Sequence, residues 1–219
     1  MDEIASGPHS SRPGGTGRLQ MALDAFDRAN AADPNLEPVD GREVPKELIY
    51  GQRMSAWLMR LCPEASESLR LAARSQHIER WVTPRGSYPE GRVGYLTWRR
   101  DLKRYHAERA GEILTDLGYP DTVVSRVRAL VRKERLKQDE DAQVLEDVAC
   151  VVFLAHHLAD FAEKHETDKV VDILRKTWAK MSPLGRRAAL ALPLEDALKE
   201  LLASALAGEP VESRTVVQP

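Results

Sequence analysis

The run Arg-Tyr-His-Ala-Glu-Arg-Ala-Gly-Glu-Ile-Leu, residues 104–114, decides how the fold is read. It lies within a long helical pattern from about Tyr95 to Leu117, in which Trp98, Leu102, His106, Ala110 and Ile113 recur at steps of three and four. Leu117-Gly118-Tyr119-Pro120 ends the pattern, with glycine after the last periodic residue and proline beyond it. His106 falls on the apolar stripe and needs a partner, because an unpaired buried polar group costs about 1–3 kcal/mol. A carbonyl, a carboxylate or a metal would serve. The small Ala110-Gly111 pair lets a neighbouring element come close.

The same periodicity continues on both sides. Leu19, Leu23, Phe26 and Ala29 form one face of a first helix, Asp33-Pro34 stops it, and Asp40-Gly41 marks a turn. Pro45 opens a second helix striped by Leu48, Met54, Trp57, Leu58 and Leu61. Pro63 is expected to open a third, carrying Ala65, Leu69, Ala72, Ala73, Gln76 and Arg80. Thr83 to Gly94 reads as a loop. Asp121 opens a helix striped by Val123, Val127, Leu130 and Val131, and Val144 to Phe161 is the most apolar segment, expected as the central buried helix. Lys169 to Met181 and two short helices after Pro183 and Pro193 complete the series. Strand signals are nearly absent. The expectation is an all-α fold: one helical domain of about eight or nine helices over residues 17–206, with a disordered leader (1–16) and a flexible tail (207–219).

Composition narrows the function. The 219 residues are 42% hydrophobic and 30% charged, enough for one sizeable core. A net charge of −2 does not mark the whole chain as nucleic-acid binding. Cys62 and Cys150 form no CxxC and are expected to be buried free thiols. The chain contains no apolar run of membrane-spanning length and no signal-peptide pattern, so a cytoplasmic protein without a membrane partner is expected. Dinucleotide, P-loop, zincin and nucleophile-elbow motifs are lacking.

Several polar residues lie where an all-helical core could use them. His77 ends the third apolar pattern. Glu146 and Asp147 head the most apolar helix, where one of the pair can point inward and demand a cation, a metal or several donors. His156 and His157 face about 100° apart and cannot chelate one ion together. A basic set including Arg53, Arg80, Arg85, Arg92, Arg99, Arg100, Lys103, Arg104, Lys133 and Arg135 is interleaved with Trp81, Tyr88, Tyr95 and Trp98, a pattern that can hold phosphate and stack on bases. The charge run Lys133 to Asp141 reads as solvated surface.

Leu71-Ala72-Ala73-Arg74-Ser75-Gln76-His77-Ile78, the block from His106 to Leu114, and Leu117-Gly118-Tyr119-Pro120 together resemble the metal-binding helices of HD-domain phosphohydrolases, with Asp147 near the late aspartate. Over more of the chain the wording resembles the uncharacterised family called domain of unknown function 4202. It is carried by Tyr50-Gly51-Gln52-Arg53-Met54, Gln76-His77-Ile78-Glu79-Arg80-Trp81, Gly94-Tyr95-Leu96-Thr97-Trp98-Arg99 and Leu145-Glu146-Asp147-Val148-Ala149-Cys150. Tyr50 stands where an HD enzyme has its first histidine, and Gln76-His77 stands where the His-Asp doublet belongs.

The resemblance implies an HD-like core binding a phosphate-bearing small molecule or nucleotide. It further implies a phosphohydrolase using one divalent metal (Mn, Mg, Zn or Fe) at His77, His106 and Asp147, with His106 and Glu146 catalytic. Arg53, Arg80, Arg85, Arg99 and Lys133 would bind phosphate, and Tyr50, Gln76 and Trp81 would line the cavity. A metal-free site, in which Lys133 or an arginine replaces the ion's charge, fits the same departures. A non-catalytic nucleotide- or RNA-binding module using residues 80–100 is one alternative. A protein–protein adaptor using Lys133 to Asp141 is another.

Overall fold

Apolar spacing of three and four residues resolves into ten α-helices in the computed structural model, which describes residues 15–136 and 138–207. They are α1 (Gly15–Asn30), α2 (Lys46–Leu61), α3 (Glu67–Arg74), α4 (Gly91–Asp116), α5 (Asp121–Arg132), α6 (Glu140–His156), α7 (Leu158–Glu163), α8 (Thr167–Trp178), α9 (Pro183–Leu190) and α10 (Asp196–Leu206). Residues 15 and 16 of the expected leader belong to α1. Residues 1–14 and 208–219 of the expected leader and tail lie outside the described residues.

Two departures from the helical expectation have local causes. The segment around Asp40-Gly41 is an antiparallel hairpin, β1 (Leu36–Val39) with β2 (Arg42–Pro45). Asp40 and Gly41 both have positive φ, 49° and 76°, the requirement of a type I′ turn. Four-residue strands are too short for alternation to show in the sequence. The second departure is α3, which begins four residues after Pro63 because the Ser66 hydroxyl accepts from the Leu69 N–H and caps it. It ends at Arg74, and Glu79 takes the left-handed conformation at φ 50°. Gln76 and His77 therefore lie in a turn, not on a helix face, and are followed by single 3-10 turns at Arg80–Val82 and Arg85–Ser87.

Helix α6 is central, as its apolar sequence leads one to expect. It supplies Leu145, Val148 and Val152 to one cluster, which also holds Phe26, Met54, Leu69, Leu114 and Val127 from α1–α5. It supplies Cys150, Val151 and Leu154 to a second, with Leu158, Leu174, Trp178 and Leu202 from α7, α8 and α10. Each large side chain removed from water contributes about 1.5–3 kcal/mol, so α6 bonds the two halves through opposite faces. It breaks at His157, and the remainder of the expected helix becomes α7. Among the described residues no helix is long and apolar enough to cross a membrane.

Candidate functional site

The turn after α3 and the inner face of α4 meet at His106, which is 2% exposed. Because residues 75–79 have left the helix, the Ile78 carbonyl is not committed to a helical bond. The His106 ring approaches it with Nδ1 at 2.7 Å. A carbonyl oxygen only accepts, so Nδ1 carries the proton. Burial, and then the neighbouring His77, push the His106 pKa down to about 3, so the ring is neutral. Its Nε2 is therefore an acceptor, and among the described residues it has no partner. Gln76 is also buried, and its Oε1 has no partner either.

His77 is spoken for on both edges. Its ring stacks on Tyr50 at 4.1 Å with planes 7° apart. Arg80 donates to Nε2 at 3.2 Å, and Nδ1 is 3.4 Å from the Glu47 carboxylate. Burial drives His77 well below its ordinary pKa. Burial also pushes Glu47 up to about 7, against the pull of Arg80. The Arg80 guanidinium in turn lies 5.1 Å over the Trp98 ring, whose Nε1 donates to the Thr83 carbonyl.

These groups form the floor and walls of an inner chamber of about 490 Å³, with Leu102, Val131, Cys150, Phe153 and Phe161 completing its apolar side. It opens into an outer cleft of about 730 Å³, and the two share Arg99, Lys103, Lys133, Glu146 and Lys180. Arg100, Arg104 and Arg132 add to the outer wall. The cleft thus gathers seven cationic side chains around a single carboxylate, that of Glu146.

Glu146 is buried and pairs with Lys133, with Lys180 Nζ at 4.0 Å. Burial pushes its carboxyl up, but Lys133, Lys180 and Lys103 outweigh that and hold it below the usual range. Lys133 caps α5 in the left-handed conformation at φ 59°, a strained position for a lysine, and this turn carries its ammonium into the cleft. Lys103 is depressed by burial and then by the adjacent Lys133 and Arg99 charges. Among the described residues neither Lys103 nor Arg99 has an ion-pair partner; Arg99 reaches only the Tyr95 hydroxyl and ring. Cations that repel one another across a concave surface raise the local positive potential, which attracts anions.

The structure brings together Tyr50, Gln76, His77, Arg80, Arg99, His106, Lys133 and Glu146 of the residues singled out from sequence. It does not bring in the others. Asp147 is fully buried, but its carboxylate accepts from the Ser182 N–H at 2.8 Å, the Ser182 hydroxyl and Gln143 Nε2, tying α6 to the start of α9. Arg53 pairs with Glu37 of the hairpin. Arg85 donates to the Tyr88 carbonyl within its own 3-10 turn. Trp81 does not line either chamber, and Trp98 occupies the wall instead. With Asp147 engaged at α9 and His77 held on both edges, the expected metal triad does not converge. Among the described residues no group of three or more His, Cys, Asp or Glu side chains is placed to hold a metal ion.

The charge run is also largely spent internally, since Arg126 pairs with Asp139 and Asp141, and Arg132 with Glu108 and Glu134. Lys180 and Glu47 were not foreseen. Lys180 is a lone lysine beyond α8 with no sequence signal. Glu47, three positions before Tyr50 on a striped helix, carries the signal of an inward carboxylate. Of the two thiols Cys150 is buried, its pKa pushed up to about 12 by burial, while Cys62 is only partly covered.

The sequence profile of the domain of unknown function 4202 family (DUF4202) matches residues 20–202, most of the chain, and the protein belongs to that family. No curated protein and no solved structure matches it significantly.

Proposed function

We propose that this member of the domain of unknown function 4202 family binds a phosphate-bearing small molecule, with its phosphate held by side chains rather than by a metal ion. The observation that carries the reading is the set of seven cations around one carboxylate, two of them without an ion-pair partner among the described residues. The enclosed size favours a small molecule, because ligand chambers run from about 300 to 1,000 Å³. A flat RNA-binding face or an adaptor surface needs no such recess.

The resemblance to an HD-like core supports the ligand class more than the metal chemistry. Lys133, Lys103 and Arg99 supply the positive charge that an ion would otherwise bring, and arginine adds a planar fork matched to phosphate oxygens.

Calorimetric titration of the protein, treated with chelator, against pyrophosphate, sugar phosphates and nucleoside phosphates tests the reading. Binding that weakens with added salt, and falls at least tenfold in Arg99→Gln and in Lys103→Met, is the expected result. An absence of binding by every phosphate compound at millimolar concentration and low ionic strength would refute it.

A further inference from the structure

Beyond the cations it shares with the cleft, the inner chamber holds groups of a different kind. Six buried side-chain polar atoms lack a partner among the described residues. Four are donors elsewhere in the fold, on Arg18, Arg128, Trp178 and Arg186. The only two acceptors, His106 Nε2 and Gln76 Oε1, both belong to residues lining this one chamber. An unpaired buried acceptor is costly in the free protein, and it is satisfied only by an incoming N–H or O–H.

The orientation of His106 is not adjustable. Its Nδ1 proton is committed to the Ile78 carbonyl, so Nε2 cannot become a donor without protonating the ring. The walls beside these acceptors are flat and aromatic: the Tyr50–His77 stack, Trp98, and the edge-packed Phe153 and Phe161. A planar ring carrying donor groups fits such walls, and a flexible alkyl or bare inorganic chain does not.

We infer that the end of the ligand opposite the phosphate is a nucleobase bearing an exocyclic amino group, received by His106 Nε2 and Gln76 Oε1, so that the ligand class is amino-base nucleotides. The assignment rests on the phosphate reading of the outer cleft and adds a direction to it, phosphate outward among the cations and base inward. It also sets a selectivity. An oxo base withdraws the amino donor from these acceptors, and His106 Nε2, with its Nδ1 proton committed to Ile78, cannot donate to the carbonyl in its place.

Titration of ADP against IDP, and of CDP against UDP, with pyrophosphate as the base-free probe, reads this directly. In at least one pair the amino form is expected to bind about tenfold or more tightly than its oxo counterpart, the effect of leaving one buried acceptor unpaired. Gln76→Met, close in volume and lacking the acceptor, should bring that ratio toward one while pyrophosphate affinity is unchanged. Equal affinities within both pairs, with pyrophosphate still binding, overturn the inference and leave the phosphate reading standing. Failure of pyrophosphate and all four nucleotides to bind overturns both.

Discussion

Replacing Asp147 by alanine separates two roles that the sequence leaves open for this carboxylate. In the structure it is a tie between helices. Oδ1 accepts from the Ser182 N–H at 2.8 Å and from Gln143 Nε2 at 3.1 Å, and Oδ2 accepts from the Ser182 hydroxyl. The same hydroxyl accepts from the Leu184 and Gly185 N–H groups at 3.2 and 3.3 Å and so caps α9.

A hydrogen bond to a charged group contributes about 1.5–3 kcal/mol net. Three bonds to one carboxylate are not additive, and removing the group also relieves the cost of burying its charge. A loss of about 3–5 kcal/mol remains. For a domain of this size each kcal/mol lowers Tm by about 2–4 °C, so the shift is about 6–20 °C. Asp147→Asn, which keeps one acceptor oxygen, should lose about half as much.

Urea denaturation of both variants gives the stability change, and pyrophosphate titration below their transition temperatures gives the binding. The expected pattern is a lower urea midpoint with affinity within about twofold of the unsubstituted protein. A stability loss under about 1 kcal/mol, or a metal-dependent Tm that disappears on substitution, would refute the structural assignment.

Other outcomes follow from the same geometry. Lys103→Met should weaken phosphate binding at least tenfold yet leave the free protein as stable or up to about 1 kcal/mol more so, because a half-buried charge repelled by Lys133 and Arg99 is removed; thermal scans without ligand check it, and a clear stability loss would count against the repulsion. Gly185→Ala should destabilise by about 1–3 kcal/mol, since a Cβ there would sit 2.6 Å from the Asp147 carboxyl carbon, which is held in place by its three bonds; an unchanged midpoint would contradict this.

The pH profile has two opposed components. Glu47, raised from 4.5 to about 7, contributes stability that is present below pH 4.5 and lost as pH rises toward 7. His106, lowered from 6.5 to about 3, contributes stability that is present above pH 6.5 and lost as pH falls toward 3. Glu47→Gln removes the first component alone. Between pH 5 and 7 the variant should therefore gain about 1–3 kcal/mol relative to the unsubstituted protein, read from paired urea curves, and parallel curves would remove Glu47 from the account.

Much of the architecture is legible along the chain because helices are local. The stripe Trp98, Leu102, His106, Ala110 and Ile113 needs no knowledge of neighbours to place His106 inward, and the apolar density of Val144 to Leu154 marks α6 as the helix both cores share. The basic face of α4, Arg99-Arg100-Lys103-Arg104, is visible at helical spacing for the same reason. Where α3 stops was not legible, because no glycine or proline closely follows Arg74 and the left-handed residue in the turn, at φ 50°, is Glu79. That boundary decides whether His77 lies on a helix face or in a turn.

Charge partners were the least legible of all. Lys133 and Glu146 are 13 positions apart, Asp147 and Ser182 are 35, and nothing local chooses between adjacent carboxylates. Sequence by itself determined a mostly helical chain, the inward His106 and a surplus of arginine and lysine near it. Only the tertiary structure decided that Glu146 faces the cations while Asp147 holds α9, and that His77 is locked between Tyr50, Arg80 and Glu47. Helix periodicity is set within one segment, whereas which buried charge meets which is set by packing distances between segments that the sequence does not order.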